Sequence, residues 1–427
     1  MRFNYNNFKI HSILSYLDAC SSSDEEPDED DVVMIRLLAL VKRRRSPIVY
    51  RNRLIWDEHV KLLLEEDQFT SMYRMTYPTL KKLLDLLSPF LQVDASQANR
   101  RCKGGGCITP ELILHCLLRY LAGGSFHDIR TKAGIAKSTF FSCLHRGIDA
   151  VNRCDELAIK FPMERDALNE VALEFQKKSS SGMMDGCVGA IDGWLCQIKV
   201  PSASDTANIA SYFSGHYQCY GINVQAACDA RCRFTYLSVR SPGGTGDSRA
   251  FHGSSLKEFL DILPRGFYLV GDSAYTLSSS LLIPYSGADK KRKDNDIFNF
   301  HLSQLRIKIE QAFGLLVNKW RVFKRPIEIK LNRVPSLIEC CMRLHNWCIN
   351  ERDGQWIVPD MTPGQLDEHV ASYEEYMDDA DPTSANARGG GRGNIRSMVR
   401  NAITKQLVSE GRDRPRHNRM RNNRYNA

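Results

Sequence analysis

Three acidic residues lie where the sequence pattern predicts two strand ends and a helix. Asp192 ends the apolar run CVGAI, Asp272 ends the run FYLVG, and Glu310 lies in the helical pattern FNFHLSQLRIKIEQAFGLL. Neighbouring strand ends bring two carboxylates together, and a helix packed on that edge supplies a third. Hard divalent cations such as Mg²⁺ prefer carboxylate oxygens. Two such ions stabilise the attacking and leaving oxygens of an in-line displacement at phosphorus. The three acids therefore predict metal-assisted phosphodiester chemistry.

Each of these acids also has a simpler interpretation. An Asp after a strand often closes a turn or caps a helix. Arg306 precedes Glu310 by four residues, so the two side chains could form a surface pair worth about 0.2–0.5 kcal/mol. The order of the three acids on the predicted elements, rather than any one acid, favours the metal site.

The elements that would position these acids begin near residue 186. Four short β-rich runs, separated by turn residues, read CVGAID, YGINVQAACDA, RFTYLSVRS and GFYLVGD. A helical segment lies between the last two runs, and helical patterns follow at 299–320 and 335–352. Three strands, a helix, a strand and further helices predict a mixed α/β layer fold for residues 181–353.

Residues 56–180 have a helical pattern that includes helix-turn-helix spacing. Ser125 can cap a short helix, Gly134 lies at the turn, and the following helix carries Lys137, His145 and Arg146. In DNA-binding helix-turn-helix proteins the second helix enters the major groove, so these three residues are candidate DNA contacts. A plain helical bundle would explain the same spacing. The apolar positions are expected in the core in either case: Ile129, Ala133, Ile135, Phe140 and Leu144.

The two ends of the chain differ in composition from its centre. Residues 1–55 contain an acidic block at 21–31 and the basic motif KRRR at 42–45. Residues 354–427 contain an acidic stretch and a Gly-Arg segment. Both ends are predicted to be disordered, because such charged segments cannot bury enough apolar surface. KRRR is a candidate nuclear-import signal, although short basic clusters also arise by chance.

The net charge of the 427-residue chain is +8. Residues 388–427 alone hold eleven Arg or Lys and two acids, a net charge of +9, which places the attraction for a polyanion in the tail. No apolar run reaches the roughly 20 residues that span a bilayer, so no membrane contact is expected. The 14 cysteines include no CxxC pair, which favours reduced, mostly buried thiols over zinc ligands.

Six sequence blocks resemble, in the same order, those of the Harbinger (PIF) superfamily of transposases, which includes domesticated, transposase-derived nucleases. The blocks are GAIDGW (189–194), YGINVQAACDA (220–230), PGGTGDSRAF (242–251), GDSAYTLSSSLLIPYS (271–286), LRIKIEQAFGLLVNKWRVF (305–323) and MRLHNWCINE (342–351). The upstream segment MYRMTYPTLKKLL (72–84) and the helix-turn-helix region are also similar. The resemblance therefore covers roughly residues 56–352.

The resemblance implies an RNase H-like catalytic domain preceded by an all-helical domain, with a divalent cation, Mg²⁺ or Mn²⁺, as cofactor. It places the catalytic, metal-binding triad at Asp192, Asp272 and Glu310, and a fourth carboxylate, Asp247, at or beside the metal. Spacing alone instead makes Asp247 the N-cap of the following helix. Arg306 corresponds to an arginine one turn before the family's glutamate, where it would contact phosphate or position the acid.

The chain departs from the family pattern at three places. Trp194 and Leu195 stand where Thr-His is frequent, and Val317 replaces a frequent lysine. SGHYQCYG stands where an Arg-Lys-Gly motif is usual, so His216 would replace a basic contact. None of these changes removes a carboxylate, and they therefore affect contacts with target DNA more than metal binding.

The sequence thus predicts a metal-dependent DNA endonuclease or transposase that cuts phosphodiester bonds and could join 3′ ends to target DNA. The alternative is a domesticated DNA-binding or scaffolding protein with an inactive metal site. A hydrolase of small phosphate esters is disfavoured because no P-loop or nucleotide-binding glycine motif occurs. DNA is the expected partner, with a Myb-like DNA-binding protein implied by the resemblance and a homo-oligomer left open. The nucleus is the expected location, with the cytoplasm as an alternative.

Overall fold

The computed structural model describes residues 51–94, 96, 107–179, 182–353 and 397–413. The KRRR motif at 42–45, both acidic stretches, the Gly-Arg segment and most of the basic tail lie outside these ranges. Residues 52–427 belong to one unit, and everything described below concerns it.

Helices make up the described chain from residue 56 to residue 176. They are α1 (Trp56–Glu65), α2 (Phe69–Tyr73), α3 (Tyr77–Leu91), α4 (Pro110–Leu121), α5 (Phe126–Lys132), α6 (Lys137–Arg153) and α7 (Arg165–Gln176). The Thr109 hydroxyl accepts a hydrogen bond from the Leu112 N–H at 3.3 Å, and the Ser125 hydroxyl accepts one from the His127 N–H at 3.2 Å. The Ser125 cap begins α5 where the sequence predicts it, and Thr109, followed by a proline in the first turn, caps α4 in the same way.

The turn between α5 and α6 depends on Gly134. Its φ is +64°, and an added Cβ would lie 1.8 Å from the carbonyl oxygen of Asn52. The Arg53 guanidinium donates to the Gly134 carbonyl oxygen. The five apolar positions expected in the core here are all buried. Two helices joined by a turn are therefore present, while DNA contact by this unit stays a prediction.

A six-stranded mixed sheet follows, as expected for an α/β fold. Its strands are β1 (Cys187–Gln197), β2 (Phe213–Ser214), β3 (Cys219–Cys228), β4 (Phe234–Pro242), β5 (Tyr268–Val270) and β6 (Leu281–Leu282). β1 pairs antiparallel with β3 and parallel with β5, and β5 pairs parallel with β6. β3 also pairs antiparallel with β2 and β4. β1 therefore lies inside the sheet, between β3 and β5.

Helices cover both faces of this sheet. The remaining helices are α8 (Asp247–His252), α9 (Leu256–Asp261), α10 (Lys293–Lys319), α11 (Val334–Asn350) and α12 (Met398–Ser409). Helix α10 packs on β1 and β3 from one face, together with Val224 and Ala226, while α7 packs on β1 from the other, beside Val188 and Ile191. The first of these two apolar cores continues into the helical segment 56–176, and a domain boundary at residue 180 stays a prediction.

Helix α12 corrects the prediction of disorder for residues 354–427, as far as residues 397–413 are concerned. Val399, Ile403 and Leu407 are spaced four apart, which is the helical period, and they pack on the core through a fully buried Leu407. The Tyr285 hydroxyl donates to Asn401 Oδ1 at 2.8 Å. The basic, glycine-rich composition around this short apolar pattern made the helix hard to recognise in the sequence.

The fully buried Leu407 provides a test of this docked helix. Leu407→Ala should weaken the docking of α12 by roughly 2–4 kcal/mol, because a cavity replaces the lost methyl groups. Amide hydrogen exchange across residues 398–409 should accelerate accordingly. Val408→Ala is the matched control, since Val408 is exposed. Equal exchange in the two variants would contradict the docked position of α12.

Buried histidines in the helical segment make the stability dependent on pH. His59 Nε2 lies 3.1 Å from the Tyr73 hydroxyl, and that hydroxyl lies 2.7 Å from His115 Nδ1. Burial, followed by the positive charge of Lys132 and Arg119, lowers the pKa of His59 to about 4. Burial, followed by the effect of His59, lowers the pKa of His115 to about 3. Both rings are therefore neutral in the folded protein at pH 7.

Because these pKa values lie below the unfolded value of 6.5, the unfolded state binds more protons as the pH falls. The stabilisation is present above pH 6.5 and is lost as the pH falls through about 4 for His59 and about 3 for His115, on the order of 3–5 kcal/mol for each ring. His59→Gln should therefore show a weaker loss of unfolding free energy between pH 7 and 5 in urea titrations. The exposed His127 provides the control, His127→Gln, which should keep the wild-type dependence.

Candidate active site

Asp192 lies in the middle of β1, and the expectation that it ends a strand is wrong. The antiparallel ladder between β1 and β3 continues from Ala190, opposite Cys228, to Gln197, opposite Gly221. The pairing partner comes 24 or more residues later in the chain, so the turn-like Asp-Gly sequence concealed the continuation. Asp192 is paired with Ala226, whose side chain belongs to the core facing α10. Since directly opposed side chains share a face, the Asp192 carboxylate is also on the α10 face.

Asp272 lies at the same height along the sheet as Asp192, because β1 pairs parallel with β5. Ala190 pairs with Val270, so Asp192 and Asp272 each lie two residues beyond a paired position. The backbone between them is close: an added Cβ on Gly271 would lie 3.0 Å from the Ile191 side chain. The Ser273 hydroxyl and backbone N–H both donate to Asp272 Oδ1. Sheet register therefore accounts for the approach of the two aspartates.

Glu310 approaches from the α10 face, together with Arg306. The distance between Arg306 Nη2 and Glu310 Oε1 is 2.9 Å, and their side chains are 7% and 18% exposed. The pair is therefore not the solvated surface pair of the simpler interpretation. A partly buried guanidinium that holds one carboxylate oxygen fixes the orientation of that carboxylate.

The electrostatics of Asp192 show that these groups act on one another. Burial among protein atoms raises the pKa of Asp192 to about 8, although the residue keeps some contact with solvent. The charges of Asp272 and Glu310 raise this pKa further, whereas Arg306 and the Gly193 N–H, 2.8 Å from Asp192 Oδ1, lower it. The carboxyl groups of Asp272 and Glu310 and the guanidinium of Arg306 are thus close enough to Asp192 to change its pKa.

Asp247 lies beside this group on the opposite face of the sheet. It is the first residue of α8, and Gly246 occupies the N-cap position, so the N-cap interpretation is wrong. Its Oδ1 accepts hydrogen bonds from Asn223 Nδ2 at 2.9 Å and Gln225 Nε2 at 2.8 Å. An added Cβ on Gly193 would lie 2.0 Å from the same oxygen. Glycine at 193 therefore leaves the space that the Asp247 carboxylate fills.

Asn223, Gln225 and Tyr275 form a buried polar network that the sequence pattern does not predict. The Tyr275 hydroxyl donates to Gln225 Oε1 at 2.7 Å, and Gln225 Nε2 also donates to Asn223 Oδ1 at 2.8 Å. Burial raises the pKa of Asp247, while the two amide donors lower it. The available signal was two amides spaced two apart in the otherwise apolar strand YGINVQAAC, which places both on one face.

The carboxylates fit a divalent cation in donor type and in charge. All are oxygen donors, which Mg²⁺ and Mn²⁺ prefer. A cation would offset the burial and the repulsion that raise the pKa of Asp192. Within the described ranges, however, no three His, Cys, Asp or Glu side chains are arranged to hold an ion. The carboxylate oxygens therefore suit a metal ion chemically. The described side chains are not arranged as a complete set of ligands.

The candidate DNA contacts on α6 differ in their surroundings. Lys137 is exposed, with its ammonium 5.4 Å from the centre of the Phe126 ring. Arg146 donates to the carbonyl oxygens of Leu91 at 3.2 Å and Gln92 at 3.1 Å, at the end of α3. His145 Nδ1 accepts from Arg333 Nε at 3.4 Å. Arg146 and His145 thus have protein partners, and DNA contact by all three residues stays a prediction.

The structure also shows the environment of two residues that depart from the family pattern, Trp194 and His216. Trp194 packs against Phe313 at 5.7 Å and Phe323 at 5.1 Å between ring centres, which gives this position a packing role. His216 is exposed, and its charge lowers the pKa of Asp247.

The twelve described cysteines form no disulfide, and ten of them are buried, including Cys228 and Cys232.

The buried network leads to a stability prediction. Gln225→Met removes one donor to Asp247 and leaves the Tyr275 hydroxyl without its acceptor. We expect a loss of about 1–3 kcal/mol in the free energy of unfolding, because buried polar groups lose their partners. Gln197→Met, at the exposed end of β1, should change stability by less than about 0.5 kcal/mol. Equal denaturant midpoints for the two variants would show that the network does not hold Asp247.

Comparisons with known proteins identify one matching family and two relatives. Residues 191–346 match the family described as "DDE superfamily endonuclease". The chain is 24% identical over 325 residues to the Mus musculus protein named "Putative nuclease HARBI1", covering 74% of this chain and 88% of the relative. It is 23% identical over 340 residues to the Arabidopsis thaliana protein named "Protein ALP1-like", covering 75% of this chain and 79% of the relative. No solved structure matches significantly. The resemblance to transposase-derived nucleases is thereby confirmed.

Proposed function

We propose that this chain, whose residues 191–346 carry a DDE superfamily endonuclease domain, is a metal-dependent nuclease that cuts phosphodiester bonds of DNA. The observation that carries the proposal is the convergence of Asp192, Asp272 and Glu310 on one electrostatic environment. Two strands and one helix that are distant in sequence supply these acids. A purely structural role would not require three like charges at this position.

The catalytic domain is proposed to be RNase H-like. Support comes from β1, which lies between an antiparallel and a parallel neighbour, with helices α7 and α10 on its two faces. The first acid lies on the central strand, the second follows the parallel neighbour, and the third lies on the helix that covers one face. The resemblance likewise implies an RNase H-like fold.

In this proposal Asp192, Asp272 and Glu310 bind Mg²⁺ or Mn²⁺, with Asp247 at or beside the metal. The bound cation would neutralise charge on the phosphate and acidify the attacking water. Asp192, with its pKa near 8, has to release its proton to act as a ligand. Arg306 holds Glu310 in place, and the amides of Asn223 and Gln225 hold Asp247.

Hydrolysis at this site would proceed by attack of water on phosphorus and cleavage of the P–O3′ bond. The products are a 3′-hydroxyl and a 5′-phosphate. In a transposase the same displacement joins DNA ends: the 3′-hydroxyl attacks a target phosphodiester and displaces another 3′-oxygen. End joining is the finer part of the proposal and requires both DNA substrates at one site.

A second candidate function is supported by a specific observation. Because no three described side chains are arranged to hold an ion, the chain could be a DNA-binding or scaffolding protein with an inactive metal site. A Myb-like partner, a homo-oligomer and nuclear location are proposals that follow from the resemblance and the expected substrate. None of the described helices is long and apolar enough to span a bilayer.

Nicking of a labelled DNA duplex by the purified protein in Mg²⁺ or Mn²⁺ tests the proposal. Asp192→Asn and Glu310→Gln should each lower the nicking rate by at least about 100-fold, the upper range for disturbing a metal site. EDTA should abolish nicking in the wild type. The matched controls Asp261→Asn and Glu65→Gln make the same changes at exposed helix positions paired with Lys257 and Lys61.

The alternatives give different outcomes in the same assay. Nicking that survives both active-site substitutions would reject the assigned residues. Calorimetric binding of Mn²⁺ that is lost in Asp192→Asn, without nicking by the wild type, would favour the scaffolding function. Because an absent partner could also prevent nicking, the assay should be repeated with a candidate Myb-like protein.

A further inference from the structure

Five basic residues from three separate segments gather on one surface. They come from the end of α2, from α4 and from the 3₁₀ turn that follows α10: Arg74, Arg119, Arg321, Lys324 and Arg325. We call these five residues the basic cluster. Its residues come from both the helical segment 56–176 and the turn directly after α10, the helix that carries Glu310.

The backbone around the basic cluster is closely packed. Gly123 follows α4 with a φ of +95°, and an added Cβ would lie 2.9 Å from Arg321 Cβ. The Arg119 guanidinium donates to the Met72 carbonyl oxygen at 3.0 Å, and the Arg325 guanidinium donates to the Gly123 carbonyl oxygen at 3.4 Å. These contacts fix where the cations lie.

The charges of the basic cluster repel one another. After burial, the positive charges of Arg321 and Arg119 are the causes that lower the pKa of Arg74. Among the described residues, no carboxylate forms an ion pair with any of the five. Asp128 acts on Arg119 only at longer range. Like charges held together without a counter-ion attract an anion.

Helix capping explains only part of the basic cluster. Cations near the C-terminus of α4 would stabilise its dipole and its last carbonyl groups, which accounts for Arg119 and Arg325. Arg321 and Lys324 are exposed, and neither side chain makes a hydrogen bond to another described residue. These two cations are therefore accessible to a ligand outside the chain.

The position of the basic cluster relative to the active site follows from strand register. Ile198 forms a parallel bridge with Ile327, which places Arg325 about level with Cys196, four residues beyond Asp192. At roughly 3.3 Å per residue the offset along β1 is about 13 Å.

We infer that the basic cluster binds the phosphate backbone of duplex DNA beside the phosphodiester that is cut. This inference rests on the proposed nuclease function, and it assigns the contact that sets the position of the duplex in the active site. Phosphate contacts of this kind fix register without reading sequence. Arginine suits the task because its planar guanidinium pairs with two phosphate oxygens at once.

The test compares DNA binding by the full chain and by Arg321→Gln/Lys324→Gln, with fluorescence anisotropy of a labelled duplex between 50 and 300 mM salt in EDTA. The slope of log K against log salt should fall by about 1.8, since each lost phosphate contact removes about 0.9. The affinity at low salt should fall at least about tenfold. Omitting divalent ions separates binding from cleavage.

Arg265→Gln/Lys177→Gln is the matched control, because it removes the same charge from exposed positions at the opposite end of β1. Its slope should stay within about 0.5 of wild type. Equal slopes for both double variants, or no binding of duplex by the wild type, would overturn the inference. A wild type that binds through the basic cluster but does not nick DNA would uphold it and count against the nuclease function.

Discussion

Repulsion between carboxylates at the centre of the sheet is the constraint on which the site depends. Asp192 on its own would be a buried acid that prefers to stay protonated, and Asp272 and Glu310 strengthen that preference. Such a group is stable only if the surrounding fold is rigid enough to hold it. The ladders on both sides of β1 and the long helix α10 provide that rigidity, and Arg306 offsets part of the repulsion.

The same constraint explains the division of the site between two faces. Asp192 and Glu310 meet on the α10 face, where Arg306 balances charge. Asp247 approaches from the other face, where neutral amides rather than a cation hold it. Two amide donors stabilise a carboxylate without cancelling its charge. In the proposed function this negative charge attracts the cation.

Much of this arrangement could be predicted from the sequence, since local patterns determine it. The strand and helix that carry Asp272 and Glu310, the capped helices α4 and α5, and the apolar positions of the helix-turn-helix segment follow from periodicity and capping residues. The family resemblance supplied Asp247, which spacing alone assigned to a cap.

The remaining features depend on contacts between distant segments. Asp192 continues a strand because β3, far along the chain, pairs with it. Gln225 becomes a positioning group only when Tyr275, fifty residues later, closes over it. Helix α12 is recognisable only with α10 as its docking surface. No local pattern contains these partners, so a single sequence indicates them only through unusual residues in apolar surroundings.

The close approach at Gly193 has a consequence for the recognition of active copies among degenerate relatives. Any side chain at this position would occupy the place of the Asp247 carboxylate, while every acidic residue of the site would remain in the sequence. A lineage could therefore lose the proposed activity by a substitution at residue 193 and still keep every acid of the proposed site. Decay of such genes is better followed at this glycine than at the aspartates beside it.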